Sequence, residues 1–78
     1  MKDKLGKIRV HTDGDAGPYI DVELDRVQEV ESILNDLNVC YMKTQGISDA
    51  GQPITKIINI VADNQIIEKI NARLNAIN

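Results

Sequence analysis

The feature that most constrains this chain is the order in which its hydrophobic period changes. Apolar and polar residues alternate over residues 7–12 and again over 18–23, as in strands with one buried face. Over residues 25–37 the apolar positions recur at helical spacing, and strand, strand and helix then follow once more. A chain of this kind must bury two helices against a sheet.

These patterns predict an α+β fold, with four strands and two helices in a single domain over residues 1–78. The predicted strands lie near 7–12, 18–23, 39–44 and 54–61, and the predicted helices near 25–37 and 64–76. The arrangement is a ββαββα two-layer sandwich, in which a mainly antiparallel sheet carries both helices on one face. The alternative is a ferredoxin-like βαββα chain that has lost its last strand, with residues 19–23 as an extended lead-in to the first helix.

Local signals set the ends of these elements. Asp25 followed by Gln28 is a capping-box pattern, and either Asp63 or Asn64 is expected to cap the second helix. The first helix should end between Asn35 and Asn38, because Asn tolerates the left-handed conformation that closes helices.

The core must consist of aliphatic side chains, because the chain has no Phe or Trp and only two Tyr. The predicted core residues are Ile8, Val10, Ile20, Val22, Val30, Leu34, Ile58, Ile60, Ile70 and Leu74.

The loops at residues 12–20 and 44–54 share the order Thr-x-Gly, Asp-Ala-Gly, Pro and Ile. Two interpretations remain open. The halves of the chain are an internal repeat, or both loops draw on the residues that turns commonly use.

Charge disfavours nucleic acid as a partner. Nine basic residues against twelve acidic ones give a net charge of −3, whereas proteins that bind phosphate backbones usually carry a basic excess. The few aromatic residues also leave little surface on which bases could stack. Residues 1–9 carry a basic excess and residues 13–36 an acidic one, which favours contact with a basic partner or a head-to-tail contact between two copies. The alternative is that the acidic residues form a solvated helix face that favours solubility.

The single cysteine, Cys40, cannot form an internal disulfide, which is typical of a reducing compartment. No apolar run approaches the roughly 20 residues that a membrane-spanning helix needs, and no secretory leader is apparent. We therefore expect a cytoplasmic protein that does not enter membranes.

No pattern indicates a metal, a cofactor or catalysis. The acidic loop at residues 13–18 fails as a calcium site because Pro18 replaces the turn glycine and Leu24 stands at the position of the bidentate carboxylate. His11 is the only histidine, and Cys40 has no second cysteine at ligand spacing. We expect no metal, no cofactor and no enzyme activity; whether Cys40 is reactive stays open.

Two helices can cover only one face of the predicted sheet, so the other face is available for contact. We expect a protein-interaction or regulatory module that forms a homodimer or binds another protein. The predicted interaction face comprises Arg9, His11, Tyr19, Asp21, Glu23, Tyr41, Lys43 and Ile57.

A second functional class is a small-ligand sensor. In element order alone, the chain resembles the regulatory amino-acid-binding domains of ferredoxin-like topology. That resemblance implies a dimer that holds a small ligand at the subunit interface, beside the glycine-rich loops.

Overall fold

The computed structural model describes residues 8–12, 17–48 and 51–78. It is an α+β fold with a three-stranded antiparallel sheet and two helices. A 3-10 turn at Leu24–Arg26 joins the first strand to the first helix. The elements are β1 (Ile20–Glu23), α1 (Val27–Asp36), β2 (Cys40–Ile47), β3 (Pro53–Val61) and α2 (Asn64–Ile77).

β3 is the central strand, as the β-branched run predicts. β1 and β2 each pair with it in the antiparallel sense, in the order β1-β3-β2. The register places Ile20 opposite Ile57 on one side and Thr44 opposite Lys56 on the other. Because both neighbours run against β3, β1 and β2 are parallel to each other, and α1 connects them.

The predicted strand at residues 7–12 is wrong for its described part, 8–12. Only His11 pairs in strand fashion, through two backbone hydrogen bonds of 2.8 and 3.0 Å with Tyr19. The backbone N–H groups of Ile8 and Val10 donate to side-chain oxygens of Asn78 and Asn71 on or just after α2, each at 2.9 Å. Asn78 also donates its side-chain amide to the Ile8 carbonyl. Helix amides hold this segment, so strand pairing stops at His11 and the sheet has three strands where four were predicted.

The core lies between the sheet and both helices. Nine of the ten predicted core residues are buried; Ile58 is the exception and is only half-buried. Ile33, which belongs to the predicted apolar stripe of the first helix, is buried as well. The predicted core leaves out Val39, Ile54 and Ile57, of which Ile57 is completely inaccessible and Ile54 lies outside the cluster under the helices. One cluster joins residues of both helices to β1 and β3, which places the helices on the same face of the sheet.

A β-bulge at Asn59 explains why Ile57 lies in the core and Ile58 on the other face of the sheet, the reverse of the prediction. Asn59 has a φ of +53°, and the pairing of β2 with β3 shifts register between Cys40 and Met42. The extra residue lets Ile57 and Ile60 both face the helices although three positions separate them. Strict alternation places Ile57 and Ile60 on opposite faces of the sheet. With Ile60 in the core, it therefore predicts Ile57 on the open side, which is wrong.

The helix ends agree with prediction in two of three places. The Asp63 carboxylate accepts a hydrogen bond of 2.9 Å from the Ile66 N–H, and Asn38 closes α1 with a φ of +57°. The capping box at Asp25 is wrong, because Asp25 lies inside the 3-10 turn and α1 begins two residues later without a side-chain cap. Within the described ranges, no helix is long and apolar enough to cross a membrane.

Truncation of a core residue on either helix should destabilise the protein strongly. We expect Leu34→Ala or Ile70→Ala to lower the free energy of unfolding by about 2–5 kcal/mol, because each deletes a completely buried side chain and leaves a cavity. Urea denaturation followed by circular dichroism measures this change. Ser32→Ala, on the exposed side of α1, is the matched control and should stay within about 0.5 kcal/mol. Equal effects at Leu34 and Ser32 would contradict the assigned core.

Candidate interaction face

The sheet has one face that neither helix covers. Ile20, Val22 and Ile57 point toward the helices, and successive side chains of a strand point to opposite faces. The residues between them therefore define the open face: Tyr19, Asp21, Glu23, Met42, Thr44, Gly46, Lys56 and Ile58. Ile54 lies on the same side of β3 but is itself buried, with 3% of its surface exposed.

A chain of polar contacts crosses the β1 side of the open face. The Lys56 ammonium lies 3.0 Å from an Asp21 carboxylate oxygen and 5.6 Å from the centre of the Tyr19 ring. The His11 ring stacks on Tyr19 with a centroid distance of 4.9 Å and an angle of 17° between the planes. The aliphatic stem of Lys56 passes so close to Gly46 that a Cβ there would meet it at 2.9 Å. These contacts hold the Lys56 and Tyr19 side chains in place on the sheet.

The other side of the open face is apolar. Met42 pairs across the strands with Ile58, and Cys40 pairs with Val61. Met42 is 57% exposed, Val61 is 72% exposed, and Ile58 is half-buried. We call these four residues the apolar patch.

The structure brings together only part of the predicted interaction face. Tyr19, Asp21 and Glu23 follow one another along β1 and the residue before it. His11 lies beside Tyr19 through an isolated bridge, and Arg9 is exposed two residues before His11.

Three predicted face residues lie elsewhere. Ile57 is buried beneath the helices, so Ile57→Lys would disrupt the core and would not report on association. Tyr41 and Lys43 lie on the helix side of β2, since Lys43 pairs with Ile57 across the strands. All three residues are assigned to the wrong face for the same reason: the bulge at Asn59 shifts which residues of β3, and of β2 paired with it, face the helices.

Tyr41 and Lys43 both bind Glu31 of α1. The Tyr41 hydroxyl donates to the carboxylate at 2.8 Å, and the Lys43 ammonium approaches it at 3.2 Å. The hydrogen bond from Tyr41, followed by the contact with Lys43, lowers the pKa of Glu31 despite partial desolvation. Burial, followed by the bond to Glu31, raises the pKa of Tyr41. These residues fasten α1 to the edge strand β2.

Sequence reasoning missed the apolar patch as a unit. Its members come from two strands that lie far apart in the chain, and their proximity depends on the register around Asn59. The usable signal is Asn59 itself, a poor strand former inside a β-branched run and a residue that tolerates positive φ.

Two open grooves border the open face. One has a volume of about 200 Å³ and is lined by Gly17, Pro18, Tyr19, Lys56 and Ile58. The other, of about 430 Å³, lies at the far end of the sheet, between the 3-10 turn and the end of β2, and is lined by Leu24, Gln45, Gly46, Ile47, Pro53 and Ile54. Leu24 and Ile47 are 56% and 70% exposed there, so this groove is mainly apolar.

The described residues contain no group of three or more His, Cys, Asp or Glu side chains that could hold a metal ion. Residues 13–16 of the acidic loop lie outside the described ranges, as do 49 and 50 of the second loop, so the calcium reading and the internal repeat are untested there. His11 lies outside β1 while Cys40 is on β2. Three inter-strand spacings separate them, about 14 Å. These two side chains therefore do not form a nucleophile and base pair.

Comparison of the chain with protein-family models, with curated protein sequences and with solved structures gives no match.

The bond between Tyr41 and Glu31 should make stability depend on pH at both ends of the range. The lowered pKa of Glu31 means that its contribution is present above the ordinary carboxyl pKa and is lost as the pH falls through the folded value. The raised pKa of Tyr41 means that the bond is also lost as the pH rises through the folded tyrosine value.

Tyr41→Phe should accordingly cost about 1 kcal/mol near neutral pH, with a smaller cost at either extreme. Urea denaturation of both proteins over a pH series measures the difference. A difference that is the same at every pH would contradict the assigned bond. Tyr19→Phe is the matched control, because the Tyr19 contacts with His11 and Lys56 are made by its ring.

Proposed function

We propose that this protein is a small cytoplasmic interaction or regulatory module that binds a partner protein through its open face, and that it performs no catalysis. The observation that carries the proposal is the apolar patch on a sheet face that both helices leave uncovered. Contiguous exposed apolar surface beside polar groups is typical of protein contact sites. The free and exposed thiol of Cys40 supports a reducing compartment.

The open face supports a partner surface of definite chemistry. Met42 and Ile58 offer an apolar seat, and methionine adapts readily to the shape of what it contacts. Beside it, the Asp21–Lys56 pair offers both a hydrogen-bond acceptor and a donor, with no net charge. The partner that fits best presents an apolar side chain flanked by hydrogen-bonding groups.

A photo-crosslinking residue at Val61 should capture a discrete partner protein, because Val61 is a member of the patch and is 72% exposed. The same residue at Ala72, exposed on α2, is the matched control and should not capture it. The captured protein is then purified, and its affinity for the wild type is compared with that for Ile58→Glu.

We expect Ile58→Glu to weaken binding at least tenfold, because a carboxylate would replace the apolar contact, while Ala72→Glu leaves the affinity unchanged. Circular dichroism checks that both variants remain folded. Equal capture from Val61 and Ala72, or equal affinity of the two glutamate variants, would refute the proposal.

The second candidate is a small-ligand sensor of ferredoxin-like type. The parallel strands β1 and β2, with β3 between them and α1 as their connection, match a split β-α-β arrangement. The observation that favours this candidate is the groove of about 200 Å³ beside Gly17, since the Lys56 ammonium at its wall can bind a carboxylate.

This candidate predicts that at least one free amino acid at millimolar concentration raises the melting temperature, because a ligand that binds the folded state stabilises it. Lys56→Met should abolish the rise, and Lys69→Met, an exposed lysine on α2, should not. If none of the twenty amino acids shifts the melting temperature, the amino-acid sensor is rejected.

A further inference from the structure

The outer edge of β2 offers backbone groups along an eight-residue strand. The orientation of these groups follows from two bonds. Tyr19 uses its N–H and C=O toward His11, so Ile20 must direct its own toward β3. Backbone groups alternate in direction along each strand, so Met42, Thr44 and Gly46 direct their N–H and C=O groups toward β3. The Ser48 N–H continues this alternation, because it donates to the Gln52 carbonyl at 2.8 Å.

Tyr41, Lys43, Gln45 and Ile47 therefore direct their N–H and C=O groups away from the sheet. No described segment pairs with this edge. Long edge strands of this kind readily accept another strand unless charges, prolines or bulges protect them. β2 contains no proline and only one charged residue, Lys43, whose charge is balanced by Glu31.

The opposite side of the sheet is protected. Next to β1, the Ile8 N–H and C=O and the Val10 N–H are already bonded to Asn78 and Asn71. On β1 itself the Asp21 carboxylate is paired with Lys56, whereas no described cation lies within salt-bridge range of Glu23. A second copy that used this side would bring two Glu23 carboxylates to the same interface, whereas on β2 each Lys43 is paired with its own Glu31.

We propose that two copies of this chain pair through β2, antiparallel, and join their sheets into one of six strands. Among the described residues, β2 is the edge strand with no segment along its outer side, so the pairing is self-complementary and ends at the dimer. The pairing uses an edge of the sheet and leaves Ile58 and Val61, the β3 members of the apolar patch, in solvent, so it goes beyond the proposed function and does not depend on it.

The side chains of β2 select one register. In an antiparallel pair of β2 strands, the outward N–H and C=O groups of one copy must face the outward groups of the other. If most of the strand is to pair, this condition leaves two positions for the two-fold axis, beside Lys43 or beside Thr44. An axis at Lys43 would set two ammonium groups directly opposite each other, and like charges in that position destabilise a sheet even though each Lys43 is also paired with its own Glu31. An axis at Thr44 sets Thr44 opposite Thr44 and Lys43 opposite Gln45.

The Thr44 register also matches side chains by size. It places the exposed Met42 opposite Gly46, which has no side chain, and Tyr41 opposite Ile47, an aromatic and β-branched pair of the kind that stabilises antiparallel strands. The exposed fraction of Ile47, 70%, falls when this pair forms. The sizes of the side chains, their charges and the directions of the backbone groups therefore all favour a two-fold axis beside Thr44.

Cysteine cross-linking tests both the pairing and its register. The background is Cys40→Ser, which removes the only native thiol. In this background Thr44→Cys should form an intermolecular disulfide rapidly under mild oxidation, because opposed residues of a non-hydrogen-bonded pair have Cα atoms about 4.5 Å apart, within disulfide range. Lys43→Cys lies too far from its own copy in this register and should react no faster than Ala72→Cys on α2.

Preferential cross-linking of Lys43→Cys would overturn the proposed register, and rates for Thr44→Cys and Ala72→Cys that do not differ would overturn the pairing. Sedimentation of the wild type supplies the second measurement. We expect a dimer at a protein concentration of about 100 μM, and a monomer there would also refute the proposal.

A variant separates this proposal from binding at the open face. Gln45→Pro removes an outward N–H and keeps every bond to β3, so it should yield a folded monomer, whereas Gln45→Ala should remain a dimer. Ile58→Glu should remain a dimer because it alters the open face alone. Dissociation by Ile58→Glu together with persistence of the Gln45→Pro dimer would place self-association on the open face and refute pairing through β2.

Discussion

Most of the structure depends on how β3 presents its side chains to the helices. Ile57, at the middle of this strand, has no accessible surface, and Ile60 is also buried against the helices. Strict alternation cannot bury both, so the chain takes a left-handed conformation at Asn59 and bulges there. The same adjustment turns Ile58 outward, opposite Met42, and so forms the centre of the apolar patch. The core and the candidate binding face are two results of one backbone irregularity.

The sequence was informative where local chemistry decides the outcome. The order of elements after residue 18, both helices, the central strand, the Asp63 cap and the αL closure at Asn38 all follow from short-range patterns, and the structure agrees. The core positions of the helices follow equally well, because a helical stripe has only one apolar side.

The wrong predictions have one cause in common: they concern contacts between residues far apart in the chain, which short-range patterns do not determine. The side of the sheet on which each β3 residue lies depends on a bulge that lets Ile57 and Ile60 both pack against the helices, whereas strict alternation predicts Ile57 outside and Ile58 inside. Residues 8–10 look like a strand, yet their partners are amides some sixty to seventy positions later in the chain. The prediction that Tyr41 and Lys43 lie on the open face is wrong for the same reason, because the register of β2 against β3 puts them on the helix side. The candidate face was therefore half predicted: its β1 side follows from simple alternation, and its β2 side does not.

The bonds from Asn71 and Asn78 to the segment at residues 8–10 have a kinetic consequence. They span sequence separations of 61 and 70 residues, the longest among the side-chain hydrogen bonds of the described chain. Contacts this distant form only after the loop entropy of nearly the whole chain has been overcome, and they need a helical α2 to present both amides on one side. We therefore expect this segment to dock late in folding. If it also detaches while β1, β2, β3 and both helices stay packed, the Ile8 and Val10 amides should exchange through a local opening equilibrium distinct from global unfolding.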